Sequence, residues 1–146
     1  MPKPFVFKLD RVLDYRHQLE DEAVALLAQA QAAHDDQRKV VDALAATLKH
    51  HLKHGLKKEG TADDIWLWRQ YKDGLEQDLS RAKAELASLA LKLQKCRQDA
   101  VKRSKDRQLL DKLKDKQATR YHHEQSLKEQ KENDESSALR HKTKDY

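Results

Sequence analysis

The chain has 146 residues, 38% of them hydrophobic and 38% charged, with only three glycines and two prolines, which leaves little for turns or a thick core and points away from a compact globular domain toward long exposed helices. Its net charge of +5 is local: from Lys95 to Lys131 twelve Lys or Arg stand against six Asp or Glu, a face suited to acidic proteins, nucleic acid, a membrane surface or plain solvent. No apolar run approaches a membrane span and the start lacks a signal-peptide core, so a cytoplasmic protein is expected, free or docked to something membrane-bound.

After Pro4 an apolar cluster, Phe5, Phe7 and Leu9, leads into a first helical segment. Val12, Leu19, Leu26, Ala33 and Val40 lie seven apart, with Leu9, Ala23, Ala30 and Leu44 in a partner series that Arg16 and Gln37 interrupt. That is the period of a helix hiding a narrow seam against another helix, and the polar members set register. Near Val41 the spacing slips to Val41, Ala45, Leu48 and Leu52, which predicts a local change of winding. Lys57 and Lys58 suit a helix C-terminus, and Gly55 and Gly60 are available for a turn.

Thr61 reads as the next N-cap, with Asp63 and Asp64 complementing the helix dipole. Beyond it the seam is clearest: Trp68, Leu75, Ala82, Leu89, Cys96, Arg103 and Leu110 lie seven apart, interleaved with Leu79, Leu86, Leu93 and Ala100. Cys96 takes a place where a small apolar residue belongs, so packing rather than reactivity is expected of it. Gly74 marks a close approach or a slight bend.

The expected fold is all-α: a long antiparallel two-helix coiled-coil hairpin, with helix 1 over about 5–56, a turn over about 57–61 and helix 2 over about 62–139. With the turn near Gly60, Leu9 meets Leu109 or Leu110 and Phe5 meets Leu113. The seam fades after Leu113, where Gln117 and Glu124 take its positions. The second helix should therefore overhang by about 25 residues, roughly 35 to 40 Å. An unpaired helix needs a partner to hold it, so Tyr121, Glu124, Glu129, Lys131, Asp134 and Glu135 are candidates for an intermolecular contact. Trp66 and Tyr71, off the seam near the turn, are candidate anchors for a partner, and Trp68 is structural.

Catalytic and cofactor chemistry finds no foothold. His50, His51 and His54, and His122 with His123, lack a matching ligand set, so no metal is expected. There is no glycine-rich phosphate loop and no nucleophile in a catalytic setting, and two helices make no deep pocket, so the protein is not an enzyme and needs no cofactor. The basic stretch alternates with acids, as in Lys105-Asp106-Arg107, and lacks stacking aromatics, which argues against nucleic acid. Past Leu113 too little apolar surface remains for an amphipathic membrane helix.

The opening from Phe5 to Arg16, then Glu22 and the alanine-rich stretch to Ala33, resembles the N-terminus of the FliJ family, small cytoplasmic proteins of the flagellar type III export apparatus. The tail resembles that family's too, through Leu110, Leu113, Lys114, Tyr121, Glu124, Glu129-Gln130-Lys131 and Asp134-Glu135, as does the segment from Trp66 to Leu75. The resemblance implies a stalk-like coiled coil whose end bearing both termini enters the hexameric export ATPase. On that carry-over Leu9, Arg11, Arg16, Lys131, Asp134 and Glu135 lie at the ATPase end. It further implies contact of the middle of the hairpin with the export gate protein FlhA through Val41, Leu44, Leu48, Tyr71 and Leu75. Aliphatic Val41, Leu44 and Leu48 stand where relatives can carry aromatics. Binding and recycling of export chaperones are also implied.

The function expected is thus a non-enzymatic stalk and adaptor, escorting chaperones, monomeric when free and reaching the inner membrane only through partner proteins. The alternatives are the equivalent stalk of a virulence type III secretion system, and a homodimeric coiled-coil scaffold in which two chains pair their seams.

Overall fold

The computed structural model describes residues 3–56 and 60–144, the side chains of 143 and 144 excepted; Lys57 and Lys58 lie outside the described residues. Two long helices pack against each other: α1, Asp10–His54, and α2, Ala62–Lys144. Among the described residues there is no strand. The first helix begins later than its composition suggests, because Phe5 to Phe7 run non-helically into a turn in which Asp10 N–H donates to the Phe7 carbonyl (3.2 Å). The second continues beyond Leu139, to Lys144.

Local chemistry accounts for the inner ends. Thr61 caps α2 as expected, and the cap is reciprocal: Asp64 N–H donates to Thr61 Oγ1 (3.3 Å) while Thr61 N–H donates to Asp64 Oδ2 (3.0 Å). Two otherwise orphaned donors are thereby satisfied. At the end of α1, Gly55 N–H donates to the His51 carbonyl (2.8 Å). A Cβ at Gly55 would lie 2.5 Å from that same oxygen and collide with the His51 ring, so only glycine fits. Gly74 has nothing near the place of a Cβ; it marks no close approach.

The chain divides into two compact units. In the unit of Asp21–Lys102, α1 turns Ala23, Leu27, Ala30, His34, Gln37, Val41, Leu44, Leu48 and His51 inward. The facing stretch of α2 turns in Trp68, Lys72, Leu75, Leu79, Ala82, Leu86, Leu89, Leu93, Cys96 and Ala100. Both follow strict steps of three and four, the repeat of a coiled-coil seam. Gln37 holds the register by donating from Nε2 to the Ala82 carbonyl (3.0 Å).

The α2 seam is the one its spacing predicts, but half of the α1 seam is displaced. Leu26, Ala33 and Val40 face solvent, Leu26 at 57% exposure, and the residues one position later do the packing. Nor does the spacing slip near Val41: Ala45 and Leu52 are exposed, and the steps run unbroken through Val41, Leu44, Leu48 and His51.

The unit of Met1–Glu20 with Arg103–Tyr146 is built differently. Its apolar centre is Phe7, Leu13 and Leu110, with Phe5 packed against them. Leu9 is exposed, and of the two partners expected for it Leu109 is exposed too, at 63%, whereas Leu110 is buried in this cluster. Phe5 lies against this cluster and against the Tyr121 ring, at 5.7 Å between centroids. The packed face of α2 does not end at Leu113 but continues through Lys114, Ala118, Tyr121 and Gln125. From Ser126 to Lys142 every residue is exposed, a length of roughly 25 Å, shorter than the overhang expected because Tyr121 belongs to the packed part.

Candidate functional site

The terminal unit replaces an apolar seam by an ionic one. Arg107 donates from Nε to Glu20 Oε2 (3.0 Å) and from a terminal nitrogen to Asp111 Oδ2 (2.6 Å), and Lys114 Nζ donates to Asp10 Oδ1 (3.0 Å). Asp111, then Glu20, hold the Arg107 guanidinium above its ordinary pKa, and Asp10 does the same for the Lys114 ammonium. His17 stands 3.9 Å from Asp111. Such pairs are partly wet and contribute less stability than the apolar seam, but they fix which residues face each other. Sequence reasoning missed them, although Arg107, Lys114 and Tyr121 continue by sevens from Leu79, Leu86, Leu93 and Ala100.

Beside this ladder lies a groove of about 330 Å³ lined by Val12, Tyr15, Arg16, Leu19, Arg103 and Asp106. Arg16 donates to the Asp106 main-chain carbonyl (2.7 Å), a neutral acceptor, so its charge is not neutralised there. The residues assigned to the ATPase end all fall in this unit. Leu9 and Arg11 are exposed, Arg16 is half-buried, and Lys131, Asp134 and Glu135 stand exposed on the extension of α2. Glu124 and Glu129 are exposed as well, but Tyr121 is not free for a partner: its ring packs on Phe5 and its hydroxyl donates to the Lys3 carbonyl.

The residues assigned to the gate lie in the other unit and divide sharply. Val41 and Leu75 are buried, and Leu44 and Leu48 half-buried, all on the seam; only Tyr71 presents its side chain to solvent. Trp68 is half-buried against His51, as its seam position requires, while Trp66 is 60% exposed. Cys96 is half-buried on the seam, beside a groove shared with Leu26, Ala30 and Leu89. His50 and His54 bring their rings to 5.0 Å. Among the described residues no three His, Cys, Asp or Glu side chains converge on a metal position, and no helix is long and apolar enough to cross a membrane.

Comparison with curated proteins gives no match, and comparison with solved structures gives none. The model of a protein family, described as flagellar FliJ protein, matches residues 5–145. The match takes in both helices, the ionic ladder and the exposed extension. It carries the coarse assignment that this is a flagellar, type III export-related protein of a non-enzymatic family. A match over nearly the whole length, on a fold of two packed helices, means that the chain belongs to the flagellar FliJ protein family.

Proposed function

We propose that the protein is a stalk and adaptor of flagellar type III export that engages the centre of the hexameric export ATPase, contacts the export gate protein FlhA and escorts export chaperones. The observation that carries this reading is the family match over residues 5–145. It is supported by the terminal unit, which carries an exposed helical extension, Ser126 to Lys142, and, about 30 Å back along α2, a groove bearing Arg16 and Arg103. A helix pair has no six-fold symmetry, so the subunits of a ring meet it in different ways. That difference biases ring assembly and ATP turnover without any catalytic group on the stalk. The protein works in the cytoplasm, held at the inner membrane by the export apparatus.

At the gate Tyr71 makes the contact, while Val41, Leu44, Leu48 and Leu75 act by holding the helices in register beneath it. The test is ATPase activity and ring assembly of the cognate export ATPase with and without the protein. Stimulation that is lost when the chain is cut after Gln125 supports the reading; absence of both binding and stimulation overturns it.

A further inference from the structure

In the terminal unit one strip of α1 is left over once the two helices have packed. The apolar centre of the unit is made by Phe7, Leu13 and Leu110, and Val12, Tyr15 and Leu19 lie outside it. With Arg16 they stand at steps of three and four, so the four share one face of the helix. All four line the groove of about 330 Å³ whose other wall is Arg103 and Asp106 of α2, again three apart. Val12 is 42% exposed and Tyr15 60%, while Arg16, Leu19 and Arg103 are half-buried.

The charged groups lining this groove are two guanidiniums and one carboxylate. Arg16 donates only to the neutral main-chain carbonyl of Asp106. Among the described residues neither Arg16 nor Arg103 forms an ion pair, not even with the Asp106 carboxylate. Asp14, the one acid of α1 between Arg11 and Leu19, lies about 150° around the helix from the centre of the strip. A half-buried guanidinium without a counter-charge favours an incoming carboxylate, which it can grip with two parallel hydrogen bonds.

The remaining lining selects a protein rather than a phosphate chain. Tyrosine and arginine are the residue types that anchor protein contacts, and no lysine lines the groove. Val12 and Leu19 offer a phosphate nothing, and Asp106 repels it. Val12 and Leu19 lie seven residues apart, about 10 Å along α1, the interval at which a helix laid alongside presents successive large side chains.

We propose that this groove receives an acidic amphipathic helix of another protein. Its large aliphatic side chains settle between Val12, Tyr15 and Leu19, and its glutamate or aspartate meets Arg103 and Arg16. The inference concerns the groove alone and stands whether or not that protein is the export ATPase.

The probe is a set of helix-constrained peptides about three heptads long, with leucine along one stripe and glutamate, glutamine or lysine beside it, titrated against the full chain. The expected result is saturable binding of the glutamate form, with the lysine form at least about tenfold weaker. Arg103→Glu should reverse that order while helicity and melting stay unchanged. Asp106→Asn removes the one carboxylate of the groove but keeps the main-chain carbonyl that Arg16 uses, so it should tighten the glutamate peptide about threefold; misfolding cannot produce a gain of that kind. Absence of binding by every form at about 1 mM peptide overturns the proposal, as does equal binding of the glutamate and lysine forms. Glutamate-peptide binding that Arg103→Glu leaves undiminished would place the attraction elsewhere in the basic stretch and overturn it too. So would a chain that sediments as a dimer by itself and becomes monomeric with Arg103→Glu, since a second copy would then fill the groove. Stimulation of the export ATPase, kept or lost, bears on the stalk reading and not on this one.

Discussion

His51 and Trp68 bind each other's backbone across the two helices: Trp68 Nε1 donates to the His51 carbonyl (3.2 Å) and His51 Nε2 is 3.0 Å from the Trp68 carbonyl, with the rings stacked at 5.2 Å. Tyr71 closes the arrangement edge-on to His51, at 4.6 Å. The two side chains thus act as one clasp over the last turn of α1 and the second turn of α2. Trp68→Phe keeps the ring but removes the indole donor, and should cost about 1 kcal/mol. Combined with His51→Ala in a double-mutant cycle, it should show a coupling of about 1 kcal/mol in urea unfolding followed by circular dichroism. Additive losses would mean that the clasp is two independent contacts.

The register of α1 is open to a direct test. Leu93 is 4% exposed on the α2 seam, so Leu93→Asp buries a carboxylate without a partner and should cost at least about 3 kcal/mol, melting much of the helix. Leu26 belongs to the series that spacing alone places inward, yet it faces solvent. Leu26→Asp should therefore change stability by no more than about 0.5 kcal/mol. A large loss from Leu26→Asp would restore the other register.

The difference between the two helices explains what could be read from the amino acids. On α2 the inward positions are occupied by Leu79, Leu86, Leu89 and Leu93, and between them Leu91 is the one large apolar residue among charged, polar and small ones, so the period is unambiguous. On α1 the true seam holds Arg16, Glu20, His34, Gln37 and His51, while Val12, Leu26 and Val40 lie just beside it. Hydrophobicity by itself then selects the wrong stripe. What resolves it is pairing: Glu20 faces Arg107, Gln37 reaches the Ala82 carbonyl and His51 clasps Trp68, and none of these partners is visible in α1 alone. Thr61 was legible because a cap is local. The residues assigned to an ATPase contact could be named only through family resemblance, since exposed charges such as Lys131 and Glu135 carry no periodic signal.

His34 follows from the same seam. Its Nδ1 is buried without a hydrogen-bond partner, the nearest carboxylate being that of Asp35 at 3.7 Å, and an unmet polar atom of this kind costs about 1 kcal/mol or more. His34→Leu fills the position with the residue type that a seam prefers and should raise stability by about 1 kcal/mol. Denaturant unfolding at neutral pH measures it; a loss of stability would show that the imidazole has a use in the folded state.

Lys114 gives the terminal unit an alkaline limit. Its ammonium is held above the ordinary value of 10.5, first by the hydrogen bond it donates to Asp10. A cation whose pKa is raised on folding contributes stability that is fully present below its unfolded pKa and lost as pH rises through the folded one. Between about pH 9 and 12 the melting temperature should fall more steeply for the native chain than for Lys114→Met, against the common background of other lysines and tyrosines. Parallel curves would mean that the pair with Asp10 contributes nothing in solution.

The extension of α2 separates folding from binding, provided the cut is made at the right residue. Cutting after Ala118 removes Tyr121, whose ring covers Phe5 and whose hydroxyl holds the Lys3 carbonyl, so the non-helical lead to α1 loses its cover and the terminal unit should melt a few degrees earlier. Cutting after Gln125 keeps Tyr121 and its contacts with Phe5 and Lys3, and takes away a stretch in which Ser126 to Lys142 are exposed; the melting temperature should stay within about 1 °C of the native chain. If the extension is what the export ATPase holds, both truncations abolish stimulation, and only the shorter chain is also destabilised. Stimulation retained by the chain ending at Gln125 would move the contact to the groove of Arg16 and Arg103. Full melting stability of the chain ending at Ala118 would show that Tyr121 is free in solution and available to a partner after all.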